Sequence, residues 1–599
     1  MKRSSSKSST VDANTTPSAR NTGNSSALDR LQLKWNGWGT TSHPNPLPDG
    51  APQWSLLRDV LGIETLPATP AKKLADCVLP LNQLPAAAKH GLEEIVGADN
   101  VHVSDFERAF HARGQSYHDL LHLRAGKLSL APDAVVYPQS SSQVERILAL
   151  CAERNIAVVP FGGGSSVVGG INAHAKSVGG PVITVDMSAM NNVLKIDKHA
   201  MTATIETGIY GPDLEHQLAK QGVTLSHFPQ SFQFSTLGGW IAASGAGQQS
   251  NRYGKAGKWF VGAKLATPQG TWDTEAFPAS AAGPNLAQLL CGSEGTLGIM
   301  CEATVKIHEI PKAKDYRGYL LPDFETGLAL ARQINHADIP IAMLRLSDPD
   351  ETGYFQAFSA GVASGFKAAL QKLYLRWKRM GNAPCLLLIG LEGDPSTVAW
   401  ARAQTSALCS KAGALSLGTG PGKKWYHSRF DSPFARDPML DRGIGVDTLE
   451  TAASWPNLLE LQAKVRTAIL EAISVDSPEQ SENPSAPSDN PKNAASRTSR
   501  KGICMSHLSH SYPDGASLYF TFLFPRDLED DVAQWQKIKR AATDAITAQG
   551  GTISHHHGVG TDHAPWLEEE KGAIGMNLLR QLKAELDPKG IMNPGKLIR

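Results

Sequence analysis

IAVVPFGGGSSVVGG, residues 156–170, is the stretch on which the reading of this chain turns. Four apolar residues of strand character run into Pro160. Three consecutive glycines follow at Gly162, Gly163 and Gly164, and then Ser165 and Ser166. Without a Cβ a backbone can turn sharply. Successive N–H groups presented by such a turn form an anion-binding concavity, to which two hydroxyls add donors. A pyrophosphate suits it; the alternative is a glycine-rich surface turn. The spacing is not the G-x-G-x-x-G that opens a nucleotide-binding helix. GTGPGKK (418–424) is not a P-loop either, because Leu417 stands where the first glycine belongs and Lys424 where Ser or Thr is required.

Outward from this loop the pattern is strand, helix, strand: VVYP (135–138), SSQVERILALCAERN (141–155), then the apolar run itself. Apolar segments such as PVITVDM (181–187), TATIETGI (202–209) and GAKLATP (262–268) alternate with Gly-rich turns to about residue 310, as one α+β unit. Two further loops are dense in Gly, Ser and Thr. One is PQSFQFSTLGGW (229–240), with Ser235, Thr236, Gly238 and Gly239. The other is CGSEGTLGI (291–299), with Gly292, Ser293, Glu294, Gly295, Thr296 and Ile299. Three such loops in order are expected where backbone packs closely on a flat cofactor.

The remaining chain divides by pattern. Residues 1–26 read as a disordered tail and 27–127 as a helical N-terminal region. Residues 128–311 form the Gly-loop domain. A second α+β domain, 312–552, alternates helices such as 324–337 with strands such as 385–394. A floppy Ser/Pro/Asn-rich insert at 474–501 interrupts it, and 553–599 carries a histidine motif and a closing helix.

Of 599 residues, 58 are Lys or Arg and 57 Asp or Glu, a net charge of +1, so no basic field calls for nucleic acid. Seven cysteines without a C-x-x-C pair argue against disulfides or zinc and for a reducing compartment. The chain has no run of about 18 apolar residues. Its N-terminus has no apolar signal core, and its Arg is too sparse for a transit peptide. The ending KLIR is not a peroxisomal address. A cytoplasmic location is expected.

Several polar residues interrupt apolar patterns. Arg345 breaks IAMLRL, Tyr519 sits in the alternating LYFTFLF, and Arg436 lies in a loop of mixed charge. His507 and His510 fall in MSHLSHSY, and His555, His556 and His557 are consecutive. On a strand, two of those three would face one way and one the other. Imidazoles there suit a phosphate, general acid–base work near neutral pH, a metal ion, or simply a polar turn.

PFGGGSSVVGG, STLGGW and GSEGTLGI resemble the FAD-binding domain of the vanillyl-alcohol-oxidase-type flavoproteins. Over nearly the whole chain the closer resemblance is to the alkyl-dihydroxyacetonephosphate synthase family. It is carried by KWNGWG (34–39), Arg113-Gly114 with His118, Leu344–Leu346, Phe434–Asp437, Glu450–Trp455, GASLYF (515–520) and SHHHGVG (554–560). The resemblance implies an α+β fold: a two-subdomain PCMH-type FAD-binding domain, an α+β cap, and helical terminal segments. FAD would lie on Pro160, Gly162–Ser166, Ser235, Thr236, Gly238, Gly239, Gly292–Thr296 and Ile299. Tyr519, Arg436 and His555–His557 would be catalytic; Arg345, His507 and His510 would bind substrate. No metal is assigned.

The implied reaction exchanges the acyl group of acyl-dihydroxyacetone phosphate for a long-chain alcohol, with no net change in flavin redox state. Partners would be those two substrates, a second copy of the chain and a membrane surface touched peripherally. Departures from the animal enzymes are Ser244 in place of Arg, Lys258 in place of an acid, and His507 and His510 in place of Arg and Gln. The 2-hydroxy-acid dehydrogenases of this fold carry Glu-His-Gly where this chain has His556-His557-Gly558. The alternatives are therefore an FAD-dependent oxidoreductase acting on a 2-hydroxy acid or alcohol, and a flavin- or lipid-binding protein without catalysis.

Overall fold

The computed structural model describes residues 32–174, 179–274, 277–360, 380, 383–474 and 501–598. The expected tail at 1–26 and all but the ends of the expected insert at 474–501 lie outside them.

The decisive stretch folds as its pattern demands. Strand Ala134–Val136, helix Ser141–Arg154 and strand Ala157–Phe161 form a parallel crossover, with Val182–Asp186 between the two strands in the sheet. Ser140 caps the helix start through the N–H of Gln143, and Asn155 ends it at φ 53°. Val144, Ile147, Leu148 and Cys151, spaced for one helix face, are buried against Val158, Ile183 and Val185. Strand Val101–His102 completes this four-stranded sheet. The C-terminal segment also joins it: Val158 donates to Ile591 and accepts from Asn593, both at 2.8 Å, so the chain end is tied beside the glycine loop.

A second, antiparallel sheet of five strands is ordered Val193–Asp197, Thr202–Glu206, Ile299–Lys306, Phe260–Thr267, Gly270–Asp273. These two sheets are the two expected subdomains, and the α+β class holds.

The cap is a seven-stranded antiparallel sheet. Its order is Leu415–Gly418, Ala313–Leu321, Cys385–Gly393, Ile341–Ser347, Ile503–Ser511, Gly515–Pro525, Ile444–Ser454. Helices Phe324–His336, Pro395–Lys411, Leu458–Ser474 and Asp531–Ala548 pack into one hydrophobic core with it. In Gly515–Pro525, Leu518, Phe520, Phe522 and Phe524 belong to that core. The alternate positions, Tyr519 among them, therefore face away from it. The period-two pattern in LYFTFLF thus places one aromatic on the functional side and buries the rest. The closing helix spans Leu567–Leu586, broken at Gly572 (φ 71°), and Asp587 beyond it accepts the N–H groups of Ile591 and Met592.

One expectation is overturned. His555–His557 are not on a strand but in an irregular turn. The reason is a set of side-chain acceptors that draws successive N–H groups to one side.

Phe520 is fully buried at the centre of the cap core. Phe520→Ala should lower unfolding stability by about 3–5 kcal/mol, read from chemical denaturation of the purified protein.

Candidate active site

The three glycine-bearing loops meet. A Cβ on Gly163 would lie 1.9 Å from the carbonyl oxygen of Phe234, and one on Gly162 would lie 2.2 Å from Thr236 Oγ1. Gly295, at φ +68°, packs on Pro160, where a Cβ would be 2.8 Å from Cγ. The first loop is thus pinned between the second and third with no room for side chains. No described residue accepts a hydrogen bond from the amides of Gly163, Gly164 or Ser165. A phosphate oxygen is what such a set of donors fits.

The expected hydroxyls are otherwise engaged. Ser166 Oγ accepts the Gly170 N–H at 3.0 Å. Ser235 Oγ accepts Trp240 Nε1–H at 2.7 Å and donates to Ser231 O at 2.9 Å. Thr236 caps a helix through the Gly239 N–H, while Ser293 and Thr296 donate to Leu290 O and Ser293 O. Ile299 is buried at the start of a strand. Gly238 packs against Thr207, and Gly292 sits at φ +87°. These positions shape the wall of the cradle. Among the buried polar atoms without a protein partner are His227 Nε2, Gln248 Oε1, Asn251 Oδ1 and His510 Nδ1, and His510 is close enough to act on His227 electrostatically. They suit the polar edge of a flat heteroaromatic ring, so the residues fit FAD.

Across the gap, the cap sheet sets its functional residues in a row by register. Ser347 pairs with His507, His507 with Tyr519, and Tyr519 with Glu450. A register shift between Leu508 and His510 is a bulge, and it sets His510 opposite Ser517. Arg345 donates to His507 Nε2 at 3.0 Å and to Glu351 Oε1 at 2.9 Å. A guanidinium only donates, so His507 Nε2 accepts, and its Nδ1–H donates to Glu351 at 2.9 Å. Burial would push the Glu351 carboxyl up, but Arg345 and His507 hold it at about 2. Burial and Arg345 together push His507 below the usual histidine range. Its ring stacks on Tyr519 at 5.1 Å. Arg345 is thus ion-paired with Glu351, with neutral His507 bridging the two, and Arg345 is less free to bind substrate than its sequence position implies.

The histidine turn is built on two carboxylates, Glu450 buried and Glu294 half-buried. Glu450 accepts the N–H groups of His555 (2.6 Å), His556 (3.0 Å) and His557 (2.9 Å), and the Ser554 hydroxyl at 3.0 Å. Glu294, from the third glycine loop, accepts the N–H groups of Val559 and Gly560. Lys255 Nζ donates to His555 O at 2.5 Å. His555 Nε2 shares a 2.6 Å hydrogen bond with the Tyr512 hydroxyl, and its Nδ1 lies 3.0 Å from His556 Nδ1. The rings of His556 and His557 lie 6.1 and 5.6 Å from that of Tyr519.

Burial dominates the titration here. It pushes His556 down to about 3, His557 down, and His510 and His555 well down. It pushes the Tyr519 phenol up. Glu450 resists the same burial because three imidazoles and the amides favour its charge, and its carboxyl is held well below the usual range. Glu294, with two amides but a buried setting, rises to about 7.

Arg436 begins a short helix and donates to Gln115 O at 3.1 Å. Its other terminal nitrogen is 3.9 Å from Asp447, and its charge acts on Tyr519 and His557. All three expected catalytic groups therefore come together. Glu450, Lys255 and Tyr512 had been given no role. The available signal for Glu450 was an acid in an apolar, alternating strand, IGVDTLETAAS. Nitrogens of His510, His555 and His556 lie within 4.8 Å of one another. Both nitrogens of His555 are already engaged, however, and the Lys255 ammonium adds a positive charge, so no metal is assigned.

Two family models match the chain: "FAD binding domain" over residues 132–274 and "FAD linked oxidases, C-terminal domain" over 310–597. The alkyldihydroxyacetonephosphate synthase of Dictyostelium discoideum is 36% identical, covering 95% of this chain and 93% of that protein. The synthase of Trypanosoma brucei brucei is 31% identical over 95% and 92%. A solved alkyldihydroxyacetonephosphate synthase structure superposes with a TM-score of 0.78 at 33% identity, covering 95% of this chain and 99% of the other.

Gly163→Ala places a methyl group against backbone that cannot yield. The variant should purify with little or no visible flavin absorbance, and added FAD should not restore it.

Proposed function

The chain belongs to the alkyldihydroxyacetonephosphate synthase family of FAD-linked enzymes, and on that premise we propose how its own residues carry the reaction. The reaction replaces the acyl group of an acyl-dihydroxyacetone phosphate by a fatty alcohol, forming the alkyl ether. FAD, when bound, supplies a flat electrophilic ring that can accept and return electron density at the reacting carbon. One observation carries the assignment of roles. The rings of His556 and His557 lie 6.1 and 5.6 Å from that of Tyr519, and the Arg436 charge acts on both Tyr519 and His557.

His556 and His557, neutral through burial, take the proton that leaves the substrate carbon, and the Glu450 anion offsets the imidazolium that forms. Tyr519, kept protonated by burial, holds and returns a proton at a substrate oxygen. Arg436, always charged and able to bind two oxygens at once, takes the departing carboxylate. His510 and the His507–Arg345 pair lie on the same face and contact the phosphate end. The proposal keeps the division into an FAD-binding domain (128–311), cap (312–552) and histidine segment (553–599), supported by the separate sheets.

It also keeps a homodimer, peripheral membrane contact and a cytoplasmic location. Among the described residues no helix is long and apolar enough to cross a membrane, while Val78 and Leu81 are 85% and 89% exposed. All seven cysteines are free, which supports a reducing compartment.

Incorporation of labelled hexadecanol into an alkyl ether, with the flavin spectrum unbleached, is the expected result. Bleaching by a 2-hydroxy acid without ether formation would overturn it in favour of an oxidoreductase. Tyr519→Phe should lower kcat by about 10²-fold or more, the scale of a lost proton-transfer group. Because His556 is depressed to about 3, its base form persists in acid. The acid limb of kcat/KM should therefore lie well below the ordinary histidine value of about 6.5.

A further inference from the structure

We infer that Glu450 is a positioning residue: its carboxylate sets the backbone of His555–His557 and stands as the counter-charge to their rings. The inference rests on the functional reading above. In an extended strand successive N–H groups point opposite ways, so three consecutive donors on one carboxylate require the chain to curl around it. Both oxygens are used. Oε1 takes the Ser554 hydroxyl and the N–H groups of His556 and His557, and Oε2 takes that of His555.

The acceptor is held firmly. Glu450 is 1% exposed and sits mid-strand, in an eleven-residue pairing of Ile444–Ser454 with Gly515–Pro525 that puts it directly opposite Tyr519. One rigid sheet thus fixes both the phenol and the clamp that aims the imidazoles. The rings themselves are not hydrogen-bonded to it. His556 Nδ1 and His557 Nδ1 lie 3.6 and 3.7 Å from its oxygens, beyond a hydrogen bond but well inside Coulomb range.

Several groups from other elements face this carboxylate's surroundings: Lys255 from the FAD-binding domain, and His507, His510, Tyr512 and Tyr519 from the cap. Lys255, Lys539 and Arg436 are the cations whose charges oppose protonation of the histidines. Glu450 is the carboxylate that favours it for all three.

The flanks of the turn have their own anchors. Thr451 Oγ1 donates to Thr552 O at 2.7 Å, Glu570 accepts the Ile553 N–H at 2.9 Å, and Glu294 holds residues 559 and 560. Loss of the Glu450 charge should therefore disturb the three histidines rather than the fold. A glutamine there keeps the volume but offers one accepting oxygen, and its NH2 would confront the His555 N–H, donor against donor.

The test compares full-length, FAD-loaded wild type with Glu450→Gln and Glu450→Asp. Measurements are flavin content, hydrogen exchange of the amides at 555–557, and kcat and KM with acyl-dihydroxyacetone phosphate and hexadecanol. Glu450→Gln should retain flavin and exchange those amides faster. It should lose kcat by about 10- to 100-fold, the scale on which orienting partners of functional imidazoles act, with KM changed far less. Glu450→Asp, which keeps the charge, should recover part of that kcat. An unchanged kcat in Glu450→Gln overturns the inference. So does an equal loss in both variants accompanied by loss of flavin, which would mark a purely structural role. If wild type makes no ether, the functional reading fails on its own; unaltered amide exchange in Glu450→Gln overturns the clamp whatever the activity.

Discussion

Five backbone N–H groups between His555 and Gly560 end on two carboxylates, and the rest of the site depends on that arrangement. Glu450 comes from the cap sheet and Glu294 from the third glycine loop of the FAD-binding domain. The turn is therefore the stitch between the surface that carries Tyr519 and the surface built for FAD. A buried carboxylate is costly unless its lone pairs are filled, and here each is filled by amides of the same short turn. Neither partner is stable buried alone. The two carboxylates are also distinct: Glu450 stays ionised beside three imidazoles, while burial pushes Glu294, with two amides, up to about 7.

The sequence was most legible where structure is local. The crossover around helix Ser141–Arg154 was readable because its caps and its 3.6-residue apolar spacing lie within a few residues of one another. The glycine loops were readable because runs of Gly, Ser and Thr are local in sequence, although the conflict that requires glycine, as at Gly163 against Phe234, arises only where one loop meets another. Tyr519 was legible as one member of an alternating strand, though not which face it would show. The histidines stay open between a strand and a polar turn in the sequence because the residue that curls them, Glu450, is 105 positions away from His555. No pattern within SHHHGVG records that contact. Arg345 was seen as an anomaly in an apolar strand, but its partners Glu351 and His507 become neighbours only through strand pairing and the helix that follows. The hydroxyls of Ser235, Thr236, Ser293 and Thr296 are a subtler case. They stand in the loops as expected from the sequence but are engaged in holding those loops in shape, while the first loop's amides stay free of protein acceptors.

Five imidazoles on one face raise the question of how many charges the site can hold. The rings of His510 and His555 are 5.2 Å apart and those of His556 and His557 4.5 Å apart. Two protonated rings about 5 Å apart would repel by roughly 3 kcal/mol at an effective dielectric near 20, and Lys255 already supplies a fixed positive charge to the same turn. Against this stands one carboxylate, because Glu351 is committed to Arg345 and His507 on the far side of the row. The balance admits a single added proton, shared among rings that burial otherwise keeps neutral. A group that must accept a proton from carbon and soon release it needs that property: a base that is empty at rest, a counter-charge that makes one protonation tolerable, and neighbours that make a second prohibitive. The same balance suits the histidine at 507. A neutral imidazole fixed as a hydrogen-bond acceptor from Arg345 keeps the row polar without adding the charge that a second guanidinium would bring.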